Sequence, residues 1–186
     1  VGADVAFADI RARHDALLVA TGVYKARPLR VPSAGAALAA LDYLTAANRA
    51  ALGDAHDEAP AKGKNVVVIG GGDTAMDCVR TAVRQGAKSV KCLYRRDRAN
   101  MPGSMTEVRN AEAEGVEFVW LAAPQAFLGN GAVTHVRAQR IHLGVADFSG
   151  RQMPQPIEGS SFNIDADMVV KALGFDPETL PKLFGE

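Results

Sequence analysis

Several familiar signals are scarce or missing. Two cysteines occur in 186 residues, and Cys78 and Cys92 fit no zinc spacing and no disulfide framework. Both lie in apolar runs, so they are expected as small core residues. The four histidines, His14, His56, His135 and His142, form no HxxxH or related pair and are expected on the surface or in hairpins. No charge excess exists: 21 basic residues balance 21 acidic ones. That gives no support for a nucleic-acid-binding surface. No apolar run approaches the roughly 20 residues a membrane span needs, and no signal-peptide pattern opens the chain. Aromatic residues make up 6% and alanine is abundant, as in many cytosolic α/β proteins. A cytoplasmic protein with no membrane partner is expected. This length supports one substantial core, with room for a small appendage. Val1 is not an initiator methionine, and "VGADVAFADI" opens in mid-pattern, so a piece of a longer protein is expected.

What is present is an alternation of short apolar runs and amphipathic stretches. Ala16 to Ala20, "ALLVA", followed by Thr21-Gly22, predicts a buried parallel strand. Leu38, Leu41 and Leu44 mark a helical face, and Gly53 to Lys64 predicts a loop. Val66 to Ile69 predicts the next buried strand. Ala75, Val79, Ala82 and Val83 then repeat at helical spacing, with Gly86 placed to end that helix. Ser89 to Tyr94 predicts a strand. Ser104 and Glu107 have the spacing of a capping box, opening a helix that runs to Gly115. Val116 to Leu121 predicts another strand. From Ala126 to Ile164 the pattern becomes strand-like alternation, with turn signals at Gly129-Asn130-Gly131 and Ser149-Gly150. Met168 to Leu173 returns to a buried strand and stops at Gly174. The order predicts an α/β, Rossmann-like dinucleotide-binding domain with a parallel sheet and an inserted β-meander.

The stretch "NVVVIGGGDTAMDCVRT" carries the chemistry. Gly70, Gly72 and Ala75 match G-x-G-x-x-A between a strand and an amphipathic helix. In that motif the first glycine permits the tight turn and the second lets backbone approach a pyrophosphate. The alanine lets the helix pack closely. The helix N-terminus offers free N–H groups and a positive dipole end. No Gly-Lys-Ser/Thr follows, which excludes a Walker A loop. Asp73 is acidic beside an anion site and is expected to cap the helix. The second strand, "SVKCLY", ends in Arg95-Arg96, with Arg98 just beyond, where NAD and FAD sites place an acid for the ribose. Arginine suits a 2′-phosphate, so NADPH is the expected cofactor.

The stretch from "VVVIGGGDTAMDCVRT" to "LYRRDRANMPGSMTEVRNAEAEGVEFVW" resembles the NADPH domain of the small (beta) subunit of bacterial NADPH-dependent glutamate synthase. That family is one of the FAD/NAD(P)-dependent pyridine nucleotide-disulphide oxidoreductases. "DALLVATG", "ALDYL" and "MVVKALGFDP" are similar to its flanking segments. In that family NADPH reduces FAD, and electrons pass through iron–sulfur clusters to the large subunit, where glutamate is made. The resemblance implies that Gly70, Gly71, Gly72, Asp73, Thr74 and Ala75 surround the NADPH pyrophosphate. It implies that Arg95 and Arg96 take the 2′-phosphate. It makes Ala20-Thr21-Gly22 and Ala172-Leu173-Gly174 the two crossovers between NADPH and FAD domains.

The same resemblance divides the chain into a crossover segment at 1–23, an NADPH domain at 24–175 and the start of the return to the FAD domain at 176–186. The family's second glycine turn, its cysteine-rich iron–sulfur segments and its C-terminal Gly-Asp motif are absent from this sequence. FAD and the clusters are therefore expected only in a full-length protein, with the isolated chain inactive. No residue reads as a general acid, base or nucleophile, which fits hydride transfer, where cofactors carry the chemistry. Two other readings stay open. One is the NADPH domain of a dihydropyrimidine dehydrogenase-like or ferredoxin–NADP reductase-like enzyme. The other is a stand-alone NADPH-binding module without a redox role.

Overall fold

A computed structural model describes residues 4–54, 59–148 and 150–179. Along the chain run α1 (Phe7–Arg13), β1 (Lys25–Ala26), β2 (Leu38–Ala39), α2 (Ala40–Ala51), β3 (Asn65–Ile69), α3 (Asp73–Arg84), β4 (Ser89–Tyr94), α4 (Met105–Ala113), β5 (Glu117–Trp120), β6 (Ala122–Leu128), β7 (His135–Ala146), β8 (Gln152–Asp165), β9 (Met168–Lys171) and β10 (Phe175–Asp176). They fall into two compact units, one of Pro28–Gly174 and one of Val1–Arg27 with Phe175–Glu186.

The larger unit is built on a five-stranded sheet in the order β2-β9-β3-β4-β5, parallel throughout. Strand β3 lies at its centre, with Val68 opposite Cys92 of β4 on one side and Val170 of β9 on the other. Alternate side chains of a strand point to opposite faces, so "NVVVI" feeds two cores. Val66 and Val68 pack with Ala75, Cys78, Val79, Val108 and other residues of α3 and α4. Val67 and Ile69 pack instead with Ala122, Phe127, Val136 and Ile164 of the meander. The meander is the antiparallel sheet β6-β7-β8. The sheet thus lies between helices on one face and a second sheet on the other, and an all-apolar central strand is what such double burial requires. Helix α3 ends as expected: Gly86 has φ +80°, and its N–H and that of Ala87 reach back to the Val83 and Ala82 carbonyls at 2.9 and 3.1 Å.

The smaller unit holds α1 and a two-residue antiparallel pairing of β1 with β10, Lys25 opposite Asp176. Arg27 Nε donates to Asp176 Oδ1 at 2.8 Å.

Four expectations are corrected. Ala16 to Ala20 is not a buried strand: it has no strand partner among the described residues, and Leu18 is 92% exposed. Apolar character alone supplies no hydrogen-bonding neighbour. Leu38 does not lie on a helical face; it forms the short strand β2, paired with Val170, and Ala40 and Tyr43 are the buried residues of α2. Ser104 and Glu107 form no capping box. Ser104 is the N-cap of α4 without a side-chain bond, and Glu107 is drawn to Arg80 of α3 instead. Asp73 does not cap α3, because Gly72 holds the N-cap position and Asp73 is the first helical residue.

Cys78 and Cys92 are fully buried. Burial pushes both thiols up to about 12, which leaves them as inert core residues. His14 and His142 are exposed, and His135 lies 3.4 Å from Asp165. His56 and Ser149 lie outside the described residues. Among the described residues no helix is long and apolar enough to cross a membrane, and no cluster of His, Cys, Asp or Glu is arranged to hold a metal.

Candidate functional site

Because β3, β4 and β9 are parallel, the segments that follow them emerge at one edge of the sheet. Gly70–Ala75 follows β3, Arg95-Arg96 follows β4, and Ala172–Gly174 follows β9. Sheet order and chain order part company at β3, which is flanked by β9 and β4. In open α/β sheets, ligands bind in the crevice beyond the carboxyl ends of the strands at such a switch point.

The three glycines differ in what demands them. Gly70 has φ +146°, and a Cβ there would lie 2.1 Å from the Ala172 carbonyl oxygen. No L side chain fits, so Gly70 is fixed by the approach of β9. A Cβ on Gly71 would lie 2.5 Å from the Tyr94 ring. Gly72 has φ −93°, and a Cβ there would meet nothing within 4 Å among the described residues. Protein packing therefore does not explain Gly72, and the free space above it fits the expected pyrophosphate. Beside it the first amides of α3, on Asp73 and Thr74, have no intrahelical acceptor. Ala75 is fully buried against the sheet, as close helix packing requires.

The two arginines are not equivalent. Arg95 is exposed and makes no ion pair among the described residues. Arg96 is 9% exposed, and its Nε is buried without a hydrogen-bond partner among the described residues. An unpaired buried donor of a charged group costs roughly 1–3 kcal/mol or more, so this atom suits an anionic ligand. Arg98 is engaged elsewhere, in a bidentate pair with Glu112 at 2.5 and 2.8 Å.

The chain belongs to the pyridine nucleotide-disulphide oxidoreductase family. Its profile matches residues 5–183. The chain is 62% identical to the glutamate synthase [NADPH] small chain of Azospirillum brasilense, covering all of this chain and 40% of that protein. It is 61% identical to a putative glutamate synthase [NADPH] small chain of Cereibacter sphaeroides, again over its full length and over 46% of that protein. The chain thus spans less than half the length of these relatives. The structure of Mycobacterium tuberculosis FprA in complex with NADPH superposes with a TM-score of 0.76 at 21% identity, over 97% of this chain and 54% of that one. That likeness shows the fold: a mixed α/β, Rossmann-type domain with a parallel sheet.

The residues singled out from sequence fall into two groups. Gly70–Ala75, Arg95, Arg96, Ala172 and Gly174 share one sheet edge of the larger unit. Ala172 is buried, and Gly174 is half-buried with φ +86°. Ala20, Thr21 and Gly22 are exposed residues of the smaller unit. The sequence reading missed the segment Asp97–Ser104. Asp97 Oδ1 accepts the Asn100 N–H at 2.9 Å and its side-chain amide at 2.8 Å. The Tyr94 hydroxyl donates to the Asn100 carbonyl at 3.0 Å. Gly103 N–H donates to the Gly71 carbonyl at 3.0 Å. Pro102-Gly103 was a legible turn signal, but nothing in the sequence says which surface that turn meets.

Proposed function

We propose that this chain is the NADPH-binding part of the small subunit of an NADPH-dependent glutamate synthase, a cytoplasmic flavoenzyme. The nucleotide reading is carried by one observation: Arg95 and the buried Nε of Arg96, both without a partner among the described residues, follow β4 at the sheet edge where Gly72 leaves open space. The likeness to the Azospirillum small chain supports the choice of enzyme. On this reading Gly70, Gly71, Gly72, Asp73, Thr74 and Ala75 form the pyrophosphate cradle, Asp73 through its backbone amide alone since its carboxylate holds Ser104, with the free amides of α3 and its dipole facing the phosphates. Arg95 and Arg96 hold the 2′-phosphate. NADPH, when bound, supplies a hydride to FAD. The segments Ala20-Thr21-Gly22 and Ala172-Leu173-Gly174 are read, on the family resemblance, as the crossovers to an FAD domain of the complete enzyme. FAD, the iron–sulfur clusters and the large-subunit partner belong to the complete enzyme.

NADH lacks only the 2′-phosphate, so a comparison of the two nucleotides isolates the arginines. Titration at low salt should give NADPH the lower Kd by about tenfold or more, the worth of one hydrogen bond between charged groups. Arg95→Ala, an exposed change, should erode that preference and leave the unfolding midpoint in place. Equal affinities of the parental chain for both nucleotides would sink the assignment.

A further inference from the structure

Asp73 is an acid where phosphates are expected, and it does not cap its own helix. Its Oδ1 accepts the backbone N–H of Ser104 at 2.7 Å. One residue earlier, Gly103 donates to Gly71. A Cβ on Gly103 would lie 3.1 Å from the Gly71 oxygen and 3.3 Å from the Gly72 carbonyl carbon. The segment therefore lies directly on the glycine turn. The same segment begins with Arg95 and Arg96, straight after β4. Between its ends it is folded by Asp97 on Asn100 and held by the Tyr94 hydroxyl. The Tyr94 ring in turn occupies the space a side chain at Gly71 would need.

We propose that Asp73 is a positioning residue that clips the arginine-bearing segment Arg95–Ser104 to the glycine turn, so that the parts facing the pyrophosphate and the 2′-phosphate keep one fixed spacing. The proposal rests on the dinucleotide reading above. A carboxylate beside a diphosphate repels it, so this residue type is explained by what it holds. Its place at the start of α3, next to the N-cap of α4, suits a negative charge to both helix dipoles. Asp73 and Ser104 are both exposed, so removing the carboxylate leaves no buried group unpaired.

Asparagine separates the clip from the charge, because its side-chain oxygen still accepts the Ser104 N–H. Asp73→Ala removes both. In the nucleotide-free protein, the Ser104 amide should exchange its hydrogen faster in Asp73→Ala and at the parental rate in Asp73→Asn. NADPH should bind Asp73→Ala about tenfold more weakly, with a narrowed preference over NADH. Asp73→Asn should bind at least as tightly as the parental chain and keep its preference. Both variants should lower the unfolding midpoint only slightly, by the loss of one exposed charge at two helix ends. Parental affinity and Ser104 protection in Asp73→Ala would overturn the proposal. So would an equal loss of affinity in both variants, which would assign the effect to the charge. Failure of the parental chain itself to bind NADPH would instead overturn the dinucleotide reading, and the role of Asp73 with it.

Discussion

Two apolar runs in this chain look alike and end differently. "ALLVA" at 16–20 and "NVVVI" at 65–69 are both short, uncharged and bounded by turn residues. The second is the centre of the sheet, with Val66 to Ile69 no more than 3% exposed. The first forms no strand, and Leu17, Leu18 and Val19 are 39%, 92% and 44% exposed. Composition does not separate them; neighbours do. Strand β3 has β9 on one side and β4 on the other to satisfy its backbone, and two cores to receive its side chains. A run without such neighbours gains neither the ladder hydrogen bonds nor the burial. An apolar run states what a segment needs and leaves open whether it is supplied.

The contrast breaks most severely at the end of β3. Gly70→Ala would place a methyl 2.1 Å from the Ala172 carbonyl oxygen at φ +146°, forcing β9 away from β3. A loss of about 4 kcal/mol or more is expected, the range in which a single change is diagnostic of such a clash. Denaturant unfolding measures it. Thiol reagents offer a second reading: Cys78 and Cys92 should be unreactive in the parental fold and become accessible in the variant. A midpoint close to the parental one would mean that β9 does not press on the turn.

Two residues further on, the same kind of change should do something else. Gly72 has open space around it and an ordinary negative φ, so Gly72→Val should cost only about 1 kcal/mol of stability, chiefly for the poorer N-cap residue. NADPH affinity should fall by about 100-fold or more, roughly 2.7 kcal/mol, since the side chain takes the place read as the pyrophosphate's. A variant that keeps its affinity would put the phosphates elsewhere. Gly70 and Gly72 belong to one motif, yet one answers to the fold and the other to the ligand.

Much of this was legible in the sequence, and the misses share a cause. The span Ser89 to Tyr94 and the stop at Gly86 were readable because periodicity and glycine placement are local properties. The meander was legible as alternation, although its first strand starts at Ala122, ahead of the expected Ala126. The glycine turn and Arg95-Arg96 could be paired because parallel topology brings strand ends together. What failed depended on distant partners. Glu107 has capping-box spacing, but Arg80, 27 residues earlier, claims its carboxylate. Asp73 looks like a cap, but its acceptor role is filled by Ser104, 31 residues later. Local chemistry shows what a side chain can do, and the fold decides with whom.

The mildest test makes one kind of truncation in each run. Val67→Ala removes methyl groups from a site with 0% exposure, packed between the sheet and the meander. The lost transfer energy and the cavity left behind together should cost about 2 kcal/mol. Leu18→Ala removes a larger group from a side chain 92% exposed, and its unfolding free energy should stay within about 0.5 kcal/mol of the parental value. The larger deletion is thus expected to have the smaller effect, a reversal that side-chain size alone does not produce. Urea unfolding of both variants, read by the same probe, supplies the comparison. Binding of a hydrophobic dye adds an independent check, since deleting exposed apolar surface at Leu18 should lower it in the native state. A loss of more than about 1 kcal/mol for Leu18→Ala would mean that this side chain is buried in solution. The first run would then have a partner after all, and the contrast between the two would fail.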